Sequence, residues 1–388
     1  MNTMPQQQIQ PTPTPSPFGR EILGFPVAVW GAIASCLAMI VGWNWDISWH
    51  RAIGRDTPWT LAHIAIYLSL AIAFAYNAAL VISHTFGSLR EAPGVRILGF
   101  KAPSPAFVTL WGVLMQFAAV LFDNWWHGVY GLDVVVFSPP HALLAVGITV
   151  FYFGQFCVIA AYRNVVSAGA ERRTRIAALA VAGMILGHMA IGADPLFGPM
   201  GLRSGQFIAS ASIGFVFVFV ALNVYMRGRL AASISSLAYM TCIILMIQIF
   251  PLFPASPQFG PVFHRVDTFL PPPFPLVLVV PALAMGWVFP PDRRRVAPWR
   301  YAIAGIVFVA TFTATNWAAS VFLSSPLAFN RFFGGIYPAT VFEATLRPVT
   351  PLSPDAVSAA LIVAAIVVST IGTWAGHRAG DWLGEVVR

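Results

Sequence analysis

Charge is scarce in this 388-residue chain: Asp, Glu, Lys and Arg together make up 9% of it, where a soluble domain carries about a quarter. That shortage excludes an ordinary water-soluble fold. Hydrophobic residues at 58% and a mean hydropathy of +0.75 point to an integral membrane protein instead. Cysteine is scarce too. Cys36, Cys157 and Cys242 all lie inside apolar runs, which excludes a disulfide framework and a thiolate metal cluster. The first residues are not expected to be a cleavable leader: the apolar run that follows is too long, and no clear cleavage site follows it. Residues 1–20, rich in Gln, Pro and Thr, have no core-forming pattern and read as a disordered cytoplasmic tail.

What the chain does have is apolar runs of the length that crosses a bilayer, roughly 17–25 residues. They fall near 25–43, 60–83, 105–122, 141–162, 176–192, 206–226, 232–250, 274–290, 300–322 and 356–376. The expected fold is an all-α, polytopic transmembrane bundle of about ten spans. With both termini cytoplasmic, 16 of the 22 Lys and Arg residues fall on the inner side, the bias that sets membrane orientation. The formal charge of +8 is thus a topology signal. Spread over short loops, it does not suggest a nucleic-acid partner. The lipid bilayer is the partner that composition implies.

Against this apolar background one constellation occurs twice. Asp46, Trp49, His50 and His63 recur as Asp123, Trp126, His127 and His141, with the two Asp residues 77 positions apart. Each copy lies where two apolar runs meet. Gly54 and Asp56 align with Gly131 and Asp133, and one inserted residue carries His63 onto His141. Asp and His four apart share one helix face, and folding the hairpin can bring up the second His. A carboxylate with two imidazoles suits Cu(II), Zn(II) or non-haem Fe(II). Three protein ligands leave a coordination position for water, oxygen or substrate. The plainer reading places these residues in the interfacial layer among belt Trp residues such as Trp43, Trp45 and Trp125. Two copies with matching spacing weigh against it.

The stretch Asp46-x-x-Trp49-His50, Arg55-Asp56-Thr57, Thr60, His63 and Tyr67 resembles the C subunit of the copper membrane monooxygenases, the particulate methane and ammonia monooxygenases. That family reads Asp-x3-His-x12-His, with Arg-Asp-Thr between the two His residues. Asp123-Asn124-Trp125-Trp126-His127 and Ser138-Pro139-Pro140-His141 resemble its later Asn-Glu-Trp-x-His and Ala-Pro-x-His segments. The likeness covers roughly residues 25–165. It implies copper at Asp46, His50 and His63, and at Asp123, His127 and His141. Around them Arg55, Asp56, Asp133 and Asn124 are candidates to orient or neutralise the ligands. The second copy departs from the family by having Asp123 then Asn124 in place of Asn then Glu, which makes it more anionic. It also lacks the family's glutamates before the last His. The resemblance further implies partner subunits, one in the membrane and one periplasmic.

Three functions follow as expectations. The first is a component of a copper monooxygenase acting on a small apolar or gaseous substrate, in a bacterial inner membrane with its metal sites toward the periplasm. The second is a copper-handling protein for storage, delivery or transport. The third is a structural or assembly subunit, for which a homo-oligomer is compatible. The chain divides at the basic linker Arg163–Arg175 into a metal-binding half, 21–165, and a six-helix half, 166–388, of unassigned role. Elsewhere His188, His84 and His377 are expected as lone interfacial residues, and His264, Arg265 and Asp267 as a solvated loop.

Overall fold

The computed structural model describes residues 18–52, 59–131, 138–166, 168–193, 202–253, 272, 274–289, 291, 296–328, 330, 332–333 and 357–386, without the side chains of 50–52, 168 and 193. Apolar segments in lipid must pair their backbone internally, which leaves helices as the solution for single runs. Among the described residues ten form: α1 (Val27–Ala52), α2 (Leu61–Thr85), α3 (Ser104–Tyr130), α4 (Pro139–Val165), α5 (Ala168–Ala193), α6 (Gly205–Tyr225), α7 (Ala231–Ile249), α8 (Val279–Val288), α9 (Pro298–Leu323) and α10 (Ala359–Leu383). All but α8 are long and apolar enough to cross a membrane. The chain is an all-α, polytopic helix bundle and an integral membrane protein.

The eighth run is helical over less of its length than the expected 274–290. Only Val279–Val288 is helical, and Phe274–Leu278 before it has no regular structure. The cause is the proline-rich sequence: Pro275 lacks an N–H and pushes Phe274 out of the helical region. Ten helical residues rise about 15 Å, half the thickness of a hydrocarbon core, so α8 does not cross one by itself. Non-helical backbone at that depth must be buried and paired. Pro275, Leu276 and Leu278 are buried, and Leu276 N–H donates to the Tyr239 hydroxyl at 2.9 Å.

Strands occur, among the described residues, only as two small hairpins. β1 (Glu21–Ile22) pairs with β2 (Phe25–Pro26) just before α1, and β3 (Val95–Ile97) with β4 (Phe100–Ala102) just before α3. Both turn on the same four residues, Ile-Leu-Gly-Phe, at 22–25 and 97–100. The repeat therefore extends beyond the Asp/His copies to a whole unit, a β-hairpin followed by two helices. The expected tail at 1–20 lies outside the described residues up to 17. Its end is ordered: Phe18 is buried edge-on against Tyr162.

Small residues set the closest helix contacts. A Cβ at Gly112 of α3 would strike the backbone nitrogen of Phe151 on α4, and one at Gly154 would strike the Thr109 hydroxyl. Gly372, Gly376 and Gly380 of α10, four apart, lie on the carbonyls of Ile213, Phe217 and Ala221 of α6, a small-xxx-small seam. One apolar core centres on α1–α4 and a second on α6–α10. Helix α5 supplies Ala178 and Val181 to the first and Leu186 and Ala190 to the second, so packing continues across the basic linker.

Polar side chains are also buried between α1, α2 and α4. Tyr76 donates its hydroxyl to the Gln155 side-chain carbonyl, Gln155 Nε2 donates to Ser35 Oγ at 2.6 Å, and Ser69 Oγ donates to the Ser35 carbonyl at 2.7 Å. Gln155→Leu would leave two buried hydroxyls without their partner. Thermal unfolding in detergent is expected to show a loss of about 1–3 kcal/mol; no loss would mean that the network adds nothing to stability.

Candidate metal centres

Both junctions form at the same end of the bundle, where α1 meets α2 and α3 meets α4. At the first, Asp46 lies in the last two turns of α1 and His63 is in the first turn of α2. Their Oδ1 and Nε2 atoms stand 3.4 Å apart, and the His63 ring stacks on Tyr67, one helical turn on, at 6.1 Å. His50 lies on α1 one turn beyond Asp46. Its side chain, with Arg55 and Asp56, falls outside the described residues.

The second junction brings all three expected side chains together. Asp123 and His127 are four apart on α3, and His141 is in the first turn of α4. Asp123 Oδ1 lies 3.4 Å from His127 Nε2 and 3.6 Å from His141 Nε2. Each ring is fixed through its other nitrogen. His127 Nδ1 lies 2.9 Å from the carbonyl of Gly131, the residue that ends α3 with φ 79° and returns its own N–H to the His127 carbonyl. His141 Nδ1 lies 3.1 Å from Oγ of Ser138, the N-cap residue of α4. Asn124 is exposed, and no hydrogen bond joins it to the cluster among the described residues. Asp133 falls outside them. Phe122, Trp125, Trp126 and Tyr130 pack as an aromatic collar, the last two 4.4 Å apart.

The donor set can be tested against a metal. A carbonyl oxygen only accepts, so His127 Nδ1 carries a proton, and in the neutral ring Nε2 then presents a lone pair. That lone pair faces a carboxylate oxygen, an arrangement that requires either a second proton on the ring or a cation between the two atoms. An Nδ1–H held by a backbone carbonyl is the usual support of a metal-ligating imidazole. Ligand atoms about 2.0–2.1 Å from a tetrahedral ion lie about 3.3 Å from one another, near the two spacings at Asp123. The cluster is nonetheless open. Among the described residues, no three His, Cys, Asp or Glu side chains form a ready-made metal-holding group. The two ion-pair distances record convergence on one oxygen, which is a weaker condition than closure around a common centre. The residues fit a metal by donor chemistry and orientation.

Three other histidines are buried. His188 is buried in the bundle, its ring 5.3 Å from Tyr152 and 6.1 Å from Trp43. His84 is wholly buried, with Nδ1 2.9 Å from the Leu80 carbonyl. His377 is buried at the same end of the bundle as His84, accepting or donating at Nδ1 with the Tyr301 hydroxyl at 2.8 Å and facing Asp381 at 3.6 Å. All three lie near the ends of their spans, where tertiary packing encloses them. His264, Arg265 and Asp267 fall outside the described residues. A groove of about 370 Å³ between α9 and α10 is lined by Ile306, Val309, Trp317 and Ile362 among others; it holds no ligating side chain.

The orienting groups Gly131 and Ser138 are what sequence reasoning missed. Ser138-Pro139 is a helix-start signal, a Ser at the N-cap position followed by proline in the first turn, and Gly131 ends α3 at a positive φ that favours glycine. Both signals were present in the motif itself. Comparisons with protein-family models, with curated proteins and with solved structures found no match to this chain.

Proposed function

We propose that the two junctions bind copper and that the chain is a component of a membrane monooxygenase oxidising a small apolar or gaseous substrate. The observation that carries this reading is the second junction, where two imidazoles present Nε2 to one carboxylate oxygen with their Nδ1 atoms tied down. Asp46, His50 and His63 would hold one ion, and Asp123, His127 and His141 the other. Copper bound there would supply one-electron redox chemistry and an open coordination position for oxygen. The residues themselves do the rest. Asp123 supplies the negative charge that a divalent ion needs, while Gly131 and Ser138 keep the rings in register. The aromatic collar gives the site an apolar rim from which a membrane-dissolved substrate can enter.

In this reading the junction end faces the periplasm of a bacterial inner membrane, because the opposite end carries most of the basic residues. Further monooxygenase subunits supply what this chain lacks, and electrons reach the sites from a donor outside it.

The test is metal analysis with EPR on protein purified in a membrane mimic, comparing wild type with His50→Ala and His127→Ala. Copper at about one equivalent per junction is expected for three-ligand sites, lost separately in the two variants. Copper unaffected by either substitution, or zinc alone at both junctions, would overturn the oxygenase reading. Copper bound without any oxidation of small alkanes or ammonia in native membranes would favour storage or delivery.

A further inference from the structure

The two β-hairpins carry a costly residue in a place where nothing in the fold requires it. Pairing of Ile22 with Phe25 and of Ile97 with Phe100 leaves two-residue turns, Leu23-Gly24 and Leu98-Gly99. Their φ angles are 49° and 81° in the first and 51° and 86° in the second. Positive φ at both positions is the type I′ turn, which favours Asn-Gly or Asp-Gly. Leucine there holds its Cβ against the following carbonyl. The chain uses it twice, and the described residues cover neither leucine: Leu23 is 86% exposed and Leu98 90%. Strained backbone of this kind persists where its surroundings compensate it.

The surroundings identify what covers the tips. Both hairpins lie at the end of the bundle opposite the Asp/His junctions, immediately before α1 and α3. Trp30, in the first turn of α1, donates its indole N–H to the Ile22 carbonyl at 2.8 Å, and its ring meets Phe25 edge-on at 5.3 Å. The first hairpin is thereby held against the flank of a membrane-spanning helix. The second is held against the end of α2: Lys101 N–H donates to Thr85 Oγ1 at 2.9 Å, and Phe100 meets the exposed Phe86 at 6.4 Å. Exposed Arg20, Arg90 and Arg96 flank the two tips and form no ion pair among the described residues. Apolar tips beside span ends, with Arg20, Arg90, Arg96 and Lys101 outnumbering Glu21 and Glu91 around them, match the chemistry of an interfacial lipid layer.

We propose that Leu23 and Leu98 insert into the acyl boundary of the leaflet at the basic end of the bundle, as a pair of lipid anchors. Each anchor is joined directly to the helical hairpin that carries one Asp/His junction at its other end. The pair thus fixes the depth of α1–α2 and α3–α4 in the bilayer, and with it the height of both junctions.

The test labels single cysteines at Leu23 or Leu98 with an environment-sensitive dye, in the full chain with Cys242→Ser. The protein is reconstituted into vesicles of equal parts phosphatidylglycerol and phosphatidylethanolamine. A lipid bearing a nitroxide near the ester end of its chain is expected to quench both labels, and iodide in the water is expected to lose most of the quenching it gives at exposed Glu91. A label at Phe100, on ordinary extended backbone, serves if cysteine at the turn prevents folding. Leu23→Asn with Leu98→Asn keeps the turn and removes the apolar tip, and is expected to return iodide access to the Phe100 label with helix content unchanged. Labels quenched by iodide as at Glu91 would overturn the proposal. So would labels shielded from both quenchers, which would place a protein partner or a second copy over the tips.

Discussion

Asp123→Ala is expected to lower copper affinity at the second junction by more than about 100-fold while leaving the first junction loaded. Loss of an outer-shell partner typically costs about 10–100-fold in metal affinity, and Asp123 is closer to the centre than that. Both imidazole Nε2 atoms face its Oδ1, at 3.4 and 3.6 Å, and it is the one carboxylate among the described residues that approaches either ring. The variant keeps the rings in place, because Gly131 and Ser138 hold them from behind, but removes the carboxylate that, among the described residues, offsets the ion's charge. Asp123→Asn keeps the shape and removes the charge, so it should fall between wild type and Asp123→Ala. Copper titration against a competing chelator, with EPR to separate the two sites, reads the result. Equal affinity in wild type and Asp123→Ala would show that copper, if bound, is held elsewhere.

Gly376→Leu is expected to be strongly damaging in the second half. Three glycines on one face of α10 bring its backbone onto the carbonyls of α6. At Gly372 an added Cβ would lie 2.8 Å from the Ile213 carbonyl oxygen, and at Gly380 2.7 Å from that of Ala221. At Gly376 it would be closer still, against Phe217. These obstacles are backbone atoms that cannot rotate aside, so the helices must separate along the whole seam. Overpacking commonly costs about 1–3 kcal/mol, and more where backbone must move. A fall in thermal midpoint of about 5–10 °C in detergent follows, with a lower folded yield. Gly192→Leu is the comparison, since nothing lies within 4 Å of its added Cβ. Equal midpoints for the two variants would mean that the seam does not hold α6 to α10.

The spans were legible because each is a long run of apolar residues with few charges, a signal that needs no tertiary information. The convergence at Asp123 was legible for a similar reason. Asp123 and His127 share a helix face by their spacing of four, and a short hairpin returns His141 to the same level. The break before α8 is legible as Pro275, yet hydropathy alone began the span at residue 274. The turns on Ile-Leu-Gly-Phe escaped notice because they sit at an offset of 75, two residues out of step with the Asp/His repeat. Burial of His84, His188 and His377 was not legible. It depends on which helices pack over those positions, and no local pattern around a single His records that. Arg55, Asp56 and Asp133 fall outside the described residues, so their proposed orienting roles rest on spacing and resemblance.

The glycine seam has a consequence for how the chain is made. Helices α6 and α10 run in the same direction, and about 130 residues separate Tyr225 at the end of one from Ala359 at the start of the other. During synthesis the receiving face of α6, with Ile213, Phe217 and Ala221, must wait in the membrane while three helices and two long connections emerge. When α10 arrives it also supplies the Leu383 and Val386 carbonyls that Asn164 at the end of α4 takes up at 2.8 Å each. Assembly of this bundle is therefore late and long-range. A nascent chain stalled before α10 would leave both α6 and the end of α4 open to lipid, to insertion chaperones and to membrane proteases.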